Sequence, residues 1–368
     1  MTGDTHRKIC QPLHPAIRDS LDPQYVAYHE AHLQYIERDE INSWDGSIRT
    51  KKHSLPPGGT KPIPVGSIGD HDVARFRVRV YTPTGQCDDR GWPVLVWFHG
   101  GAWAVGGLNN GTDLCCWACE RARCIVVSVD YGLAPETPFP AAVEDAIDAV
   151  RWVASRPTEL QSIDTSRISI SGTSAGANLA IVAALSASNP EVPLPTAQPS
   201  LPNTITHPPI SLVLFIPVVD NTATAEGVWR PNAETAPWLT PARMEYYRKL
   251  YFTRDDHRSQ WDASPNLAPE SLLSKLPKTW IAVAEMDILA PEALTFGEHL
   301  RGLGVDVETL LVKGGTHSIL SLHGVIDRGY RMIEDAVKHL QVAFGTGQHS
   351  KAAGIYFLNC SETLRDYP

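Results

Sequence analysis

The sequence predicts an α/β fold: a mostly parallel central sheet flanked by helices, with a helical cap over one end. Three observations carry that expectation. Strand-length apolar runs alternate with helix-length amphipathic segments along most of the 368 residues. One of those runs, 94–98, is continuously apolar, as a strand covered on both faces is, and 124–129 reads as a second buried strand. A glycine-rich turn, Gly172-Thr173-Ser174-Ala175-Gly176, stands between an expected strand and an expected helix.

The elements follow in chain order. Residues 1–50 are charged and helix-like, with Tyr25, Tyr28, Leu33, Tyr35 and Ile36 roughly at helical spacing. Pro56, Pro57, Gly58, Gly59 and Pro62 then break any regular element. Val73, Phe76, Val78, Val80 and Tyr81 read as one strand with an exposed face. After the buried strand 94–98 come a short helix over 113–123 and the buried strand 124–129. The helix 141–154 carries Val143, Ile147, Val150 and Trp152. A strand at 168–171 runs through the glycine turn into a helix over 175–186, and the proline-rich stretch 189–209 reads as a surface excursion. Another buried strand spans 210–219, whereas 220–268 is irregular or helical and rich in aromatics. Strands at 280–284 and 305–312, with helices at 292–303 and 330–344, complete the pattern. Parallel neighbours imply right-handed crossovers. The expected organisation is N-terminal cap helices (1–50), a core domain (51–345) with a cap insertion at about 220–268, and a C-terminal tail (346–368).

Composition narrows the function. Lys+Arg number 32 against 41 Asp+Glu, a net charge of −9, so a general nucleic-acid binder is disfavoured. No apolar run is long enough to span a bilayer. The first thirteen residues lack the apolar stretch of a signal peptide, and the seven cysteines are an odd number. The expectation is a cytoplasmic protein with reduced thiols. Cys115, Cys116, Cys119 and Cys124 lack a second ligand pair at metal spacing and read as packing groups, and His29-Glu30-Ala31-His32 lacks the spacing of a zinc helix. No metal and no cofactor is expected.

The chemistry is expected at the glycine turn. Glycines two residues before and after Ser174 let the backbone bend sharply and lift the hydroxyl to the C-terminal edge of the sheet. His99-Gly100-Gly101-Ala102-Trp103 follows the strand 94–98. Backbone N–H groups of Gly100, Gly101 and Ala102, with that of Ala175, would form an oxyanion hole. His99 reads as a brace for that loop. A serine hydroxyl needs a base, and the base needs an orienting acid. In the chain order serine, acid, histidine, Asp287 follows the strand 280–284 and His317 follows the strand 305–312. Glu285 and, more weakly, Glu292 are rival acids; His299 and His323 are rival bases.

These residues resemble the hormone-sensitive-lipase group of α/β-hydrolases, which includes bacterial type IV esterases, plant carboxylesterases and arylacetamide deacetylases. The resemblance runs from His99 to about His317. It includes Tyr131-Gly132-Leu133-Ala134-Pro135-Glu136, Phe139-Pro140-Ala141, Gly176-Ala177-Asn178-Leu179-Ala180, Trp238-Leu239-Thr240, Ala263-Ser264-Pro265 and Leu276-Pro277. Asp287-Ile288-Leu289-Ala290-Pro291-Glu292 is similar to the group's D-P-L-R-D-E and favours Asp287 over Glu285. Departures are Ala102 for a third loop glycine, Thr173 for aspartate, Gly132 for arginine and Ser318 for glycine.

The resemblance implies an α/β-hydrolase fold and a serine carboxylesterase acting on a small to medium ester through an acyl-enzyme. An amidase or deacetylase, a lactonase or a thioesterase shares this logic. A non-catalytic receptor or a dehydratase on the same fold would have an altered triad or oxyanion loop, whereas here all three positions are filled. Trp103, Trp229, Trp238, Tyr247 and Tyr251 are candidates for lining a substrate pocket. The resemblance also allows a homodimer through an edge strand and its neighbouring helix.

Overall fold

Among the described residues nine strands form one sheet: β1 (Ser67–Val73), β2 (Phe76–Thr82), β3 (Trp92–Phe98), β4 (Ile125–Asp130), β5 (Ile163–Thr173), β6 (Ser211–Phe215), β7 (Lys278–Ala284), β8 (Val307–Val312) and β9 (Gly354–Leu358). Their spatial order is β1-β2-β4-β3-β5-β6-β7-β8-β9. The first two pairings, β1 with β2 and β2 with β4, are antiparallel, and every pairing from β4 to β9 is parallel. This is a computed structural model, and it describes residues 7–50, 58–160, 162–189, 191, 201, 205–347 and 354–358.

The helices are α1 (Pro23–Ala31), α2 (Thr112–Ala122), α3 (Ala141–Ala154), α4 (Ala175–Ser188), α5 (Pro241–Tyr251), α6 (Glu270–Leu273), α7 (Ala290–Gly302) and α8 (Asp327–Phe344). Every residue of β3 is buried, and its side chains alternate between two cores. Val94, Val96 and Phe98 join the core under α3, α4 and α7, whereas Leu95 and Trp97 join the one under α2 and α8. Burial on both faces is why this run is apolar without alternation. The cysteines of α2, with Cys124, fill the second core; Cys115 and Cys124 are fully buried, and burial pushes their thiols well above the ordinary range.

Four expectations are corrected. The stretch containing Val73 and Tyr81 is a hairpin of two strands turning at Ala74–Arg75; Ala74 takes φ 51°, without the glycine or asparagine that usually announces such a turn. The described residues 7–50 hold one α-helix, α1, and four 3₁₀ turns, because Pro15 and Pro23 start short elements and the intervening sequence has no sustained apolar face. The run 210–219 is a strand only over Ser211–Phe215, since Ile216 turns to φ 42° ahead of Pro217. The tail contributes β9, which pairs with β8 through Leu310↔Tyr356 and leaves β1 and β9 as the edges of the sheet. The proline-rich excursion at 189–209 lies largely outside the described residues.

The N-terminal elements and the segment around α5 lie over the carboxyl end of the sheet. Leu21, Tyr25, Val26 and Leu33 pack on Leu322 and Ile326, with Trp238 beside them. Arg243 of α5, 3% exposed, reaches Glu40 Oε2 at 3.1 Å and Gln11 Oε1 at 3.1 Å, and the Tyr247 hydroxyl donates to Asp39 Oδ2 at 2.8 Å.

Candidate active site

Parallel strands put their carboxyl ends on one side, so residues just after β5, β7 and β8 converge there. Ser174 sits between β5 and α4 with φ 53° and ψ −120°, a conformation that costs an L-residue about 1–3 kcal/mol and persists only where the surroundings enforce it. Its neighbours show how. A Cβ on Gly172 would lie 2.3 Å from the Gly176 carbonyl oxygen, and one on Gly176 would lie 2.2 Å from the carbonyl oxygens of Phe98 and His99. Only glycine fits either position. The Ser174 N–H donates to the Phe215 carbonyl at 2.9 Å, tying the turn to β6. Asn178, one turn into α4, donates its Nδ2 to the Val218 and Ala263 carbonyls and fixes the helix to the covering segment.

Ser174 Oγ lies 3.1 Å from His317 Nε2, and His317 Nδ1 lies 2.6 Å from Asp287 Oδ2. Asp287 is 1% exposed; its Oδ1 also accepts the Leu289 N–H at 3.2 Å. A carboxylate on Nδ1 keeps the proton there and leaves Nε2 able to accept one from the serine. Asn232 donates to the backbone carbonyls of both Glu285 and Asp287, which holds the loop after β7 in place. The rival groups are committed elsewhere. Glu285 takes Lys313 Nζ at 2.6 Å and the Gly314 N–H at 2.8 Å. Glu292 is buried, which raises its carboxyl to about 8, and it accepts from the Val219 N–H and from Trp229 Nε1. His299 faces Glu270, and His323 pairs with Asp113 at 3.0 Å.

The loop after β3 lies against this group. Gly101 has φ 126°, and a Cβ on it would fall 1.9 Å from the Val105 carbonyl oxygen, so glycine is obligatory. Ala102 follows at φ 49°, in the left-handed region that an alanine enters at a cost of about 1–2 kcal/mol. The N–H groups of Gly101, Ala102 and Ala175 have no hydrogen-bond acceptor among the described residues and are free to meet a developing negative charge. His99 braces the loop. Its Nδ1 donates to the Gly100 carbonyl at 2.8 Å, its ring stacks on Tyr131 at 4.3 Å, and the Tyr131 hydroxyl donates to its carbonyl at 2.8 Å. Burial pushes the imidazole down to about 4, so it stays neutral.

A cavity of about 670 Å³ reaches Ser174 and His317, a volume suited to a small organic molecule. Of the five aromatic candidates, Trp238 and Tyr247 line it. The other three do not. Trp103 and Tyr251 are fully buried and stack on one another at 4.6 Å, anchoring the loop after β3 to α5. Trp229 turns its indole N–H to Glu292 and carries the Arg248 guanidinium over its ring, 4.5 Å from the centroid. Packing thus consumes the side chains whose size suggested a pocket wall. Wall residues that sequence reasoning missed include Tyr28, Leu33 and Ile36 from the N-terminal segment, and Leu239 and Met244 around α5. The sequence predicts a cap from both segments, but not which of its side chains face the cavity.

With this geometry in view, comparison with known proteins is decisive. A family described as the alpha/beta hydrolase fold matches residues 95–321, from β3 to just past His317. An AB hydrolase superfamily protein of Schizosaccharomyces pombe is 30% identical over 345 residues, covering 90% of this chain and 97% of its own. The chain belongs to the α/β-hydrolases, in their hormone-sensitive-lipase group. This hydrolase is also 31% identical to the Mycobacterium tuberculosis carboxylesterase NlhH over 306 residues, covering 83% of the chain and 88% of the relative. Among solved structures, a hyperthermophilic esterase from the archaeon Pyrobaculum calidifontis superposes with a TM-score of 0.68 at 26% identity, over 90% of this chain and 98% of that one. No helix among the described residues is long and apolar enough to cross a membrane.

Proposed function

We propose that this carboxylic ester hydrolase works through Ser174 as nucleophile, His317 as general base and acid, and Asp287 as the group that orients the imidazole. The single observation that carries the reading is the unbroken chain Ser174 Oγ–His317 Nε2 and His317 Nδ1–Asp287 Oδ2 at the end of an accessible cavity. His317 takes the serine proton as Oγ attacks the ester carbonyl. The oxyanion is met by the N–H groups of Gly101, Ala102 and Ala175, with Gly100 giving clearance beside the Ser174 Cβ. His317 then protonates the leaving alkoxide, and water cleaves the acyl-enzyme with the same roles reversed. The mechanism needs no metal or organic cofactor. Residues 1–50 and the stretch at about 220–268 act as the cap that shapes the substrate pocket.

Predominantly apolar walls and the cavity volume support esters of small to medium molecules over long-chain lipids. A panel of 4-nitrophenyl esters of rising acyl length, with matched anilides, thioesters and lactones, tests this. The expected result is highest kcat/KM on short to medium acyl esters. Faster turnover of the amides, thioesters or lactones would replace the substrate class. Binding without turnover of any of them would replace the enzyme with a receptor.

A further inference from the structure

The loop after β3 carries its backbone strain in one stretch, because Gly101, Ala102 and Trp103 have φ values of 126°, 49° and 59°. Such conformations persist only where the surroundings over-determine them. His99 and Tyr131 brace the start of the loop, and the Trp103 ring stacks on Tyr251. The backbone on the far side is held by a residue of the N-terminal segment. Arg49 Nε donates to the Ala104 carbonyl at 2.7 Å, and Arg49 Nη2 donates to the Ala134 carbonyl at 2.6 Å. The Ala134 N–H in turn donates to the Trp103 carbonyl at 2.8 Å. Arg49, residues 103–104 and Ala134 thus close a ring of hydrogen bonds.

That ring reaches an oxyanion donor through the backbone. The N–H groups of Ala104 and Val105 donate to the Gly101 carbonyl at 3.0 and 2.9 Å. The Gly101 carbonyl and the Ala102 N–H belong to one planar peptide, so the direction of the first sets the direction of the second. Arg49 also meets Glu136 Oε2 at 2.6 Å, but the Glu136 side chain is 57% exposed, and an exposed ion pair contributes little. The two carbonyls are the stronger tie, since a planar guanidinium presents forked, charge-assisted donors. Arg49 ends the 3₁₀ turn Gly46–Arg49, in which Ile48 lines the cavity and Arg49 does not. Its influence on the reaction therefore runs through the loop and not through contact with substrate.

We infer that Arg49 is a positioning residue for the oxyanion hole: it fixes the loop after β3 so that the Ala102 N–H faces the developing oxyanion. The inference rests on Ser174 as nucleophile and on that loop as the oxyanion hole. It gives the N-terminal segment a part in stabilising the transition state, besides shaping the pocket.

The test compares Arg49→Met, Arg49→Lys and Glu136→Gln on a short-chain 4-nitrophenyl ester, with a trifluoromethyl ketone and its methyl ketone analogue as inhibitors. The fluorinated ketone accepts Ser174 Oγ at its carbonyl carbon, its oxygen becomes the oxyanion, and His317 takes the serine proton. Its affinity reads the oxyanion hole, whereas the methyl ketone stays trigonal and reads the pocket alone. Arg49→Met should lower kcat about ten- to thirtyfold with KM within about twofold, a part of the roughly 10²–10³ that one whole donor is worth. The fluorinated ketone should weaken by a similar factor, and the methyl ketone by less than about twofold. Arg49→Lys keeps the charge without the fork and should cost about three- to tenfold in kcat, while Glu136→Gln stays within about twofold. A raised KM with kcat unchanged, or a lowered kcat with both ketones bound as in the wild type, would overturn the inference. So would wild-type kcat in Arg49→Lys, which keeps the test decisive where Arg49→Met does not fold. A wild-type protein that neither turns over the ester nor binds the fluorinated ketone would overturn the Ser174 mechanism, and this inference with it.

Discussion

The sheet carries a serine–histidine pair at each end, and the two pairs differ in what surrounds them. At the carboxyl end Ser174 Oγ and His317 Nε2 are 3.1 Å apart; at the opposite end Ser211 Oγ and His339 Nε2 are 2.8 Å apart. By distance alone the second is the better pair. Ser211 nevertheless starts a regular strand and is fully buried, His339 is held inside α8, and neither borders the cavity that reaches Ser174. Among the described residues His339 makes no hydrogen bond or ion pair to a carboxylate. Burial, with Lys278 nearby, pushes its imidazole down to about 4. What separates the two ends is the strained turn of Ser174, the buried Asp287 behind His317, and open space in front of the hydroxyl. A serine hydrogen-bonded to a histidine is thus a packing solution until those three are added.

The largest effect should come from the serines. Ser174→Ala is expected to lower kcat on a 4-nitrophenyl ester by about 10⁴–10⁶-fold, while Ser211→Ala stays within about twofold of wild type. Comparable losses in both would erase the distinction. Next comes the acid: Asp287→Asn should cost on the order of 10⁴ in kcat through the wrong histidine tautomer, with folding retained. The smaller effect is on stability and belongs to the other end of the sheet. His339 is held below its ordinary pKa of 6.5, so between about pH 6.5 and 4 the unfolded chain binds a proton that the folded one refuses. Stability is fully present above 6.5 and is lost as pH falls towards 4, by an amount on the order of 3 kcal/mol. His339→Gln should flatten that acid limb in chemical denaturation while leaving ester turnover near wild type. An unchanged acid limb would contradict the buried neutral state.

The same contrast shows what could be read from the chain. The turn at Ser174 was legible because its demands are local: Gly172 and Gly176 stand two residues either side, and backbone clearance of 2.2–2.3 Å admits nothing else. Asp287 and His317 were legible through their positions just after apolar strands, since parallel strands bring such positions to one edge. The pocket wall is legible only at Trp238 and Tyr247. Arg243 meets Glu40 and Gln11 across 203 and 232 residues, and no periodicity carries that pairing. Trp229 and Tyr251 lie in a covering segment, where an aromatic has the same composition whether it faces substrate or the core, and Trp103, in the loop after β3, stacks on Tyr251 instead of facing the cavity. The hairpin of β1 and β2 was hidden by the absence of a turn glycine, and β9 by its isolation from the strand–helix rhythm.

A fluorophosphonate probe most directly tests whether one serine is activated by its surroundings. Folded protein is incubated with the probe, digested, and the adduct mapped by mass spectrometry. One stoichiometric adduct on Ser174, abolished in Asp287→Asn and His317→Ala and untouched in His339→Gln, is the predicted result. No adduct, or an adduct on another serine while Ser174 stays unmodified, would contradict it.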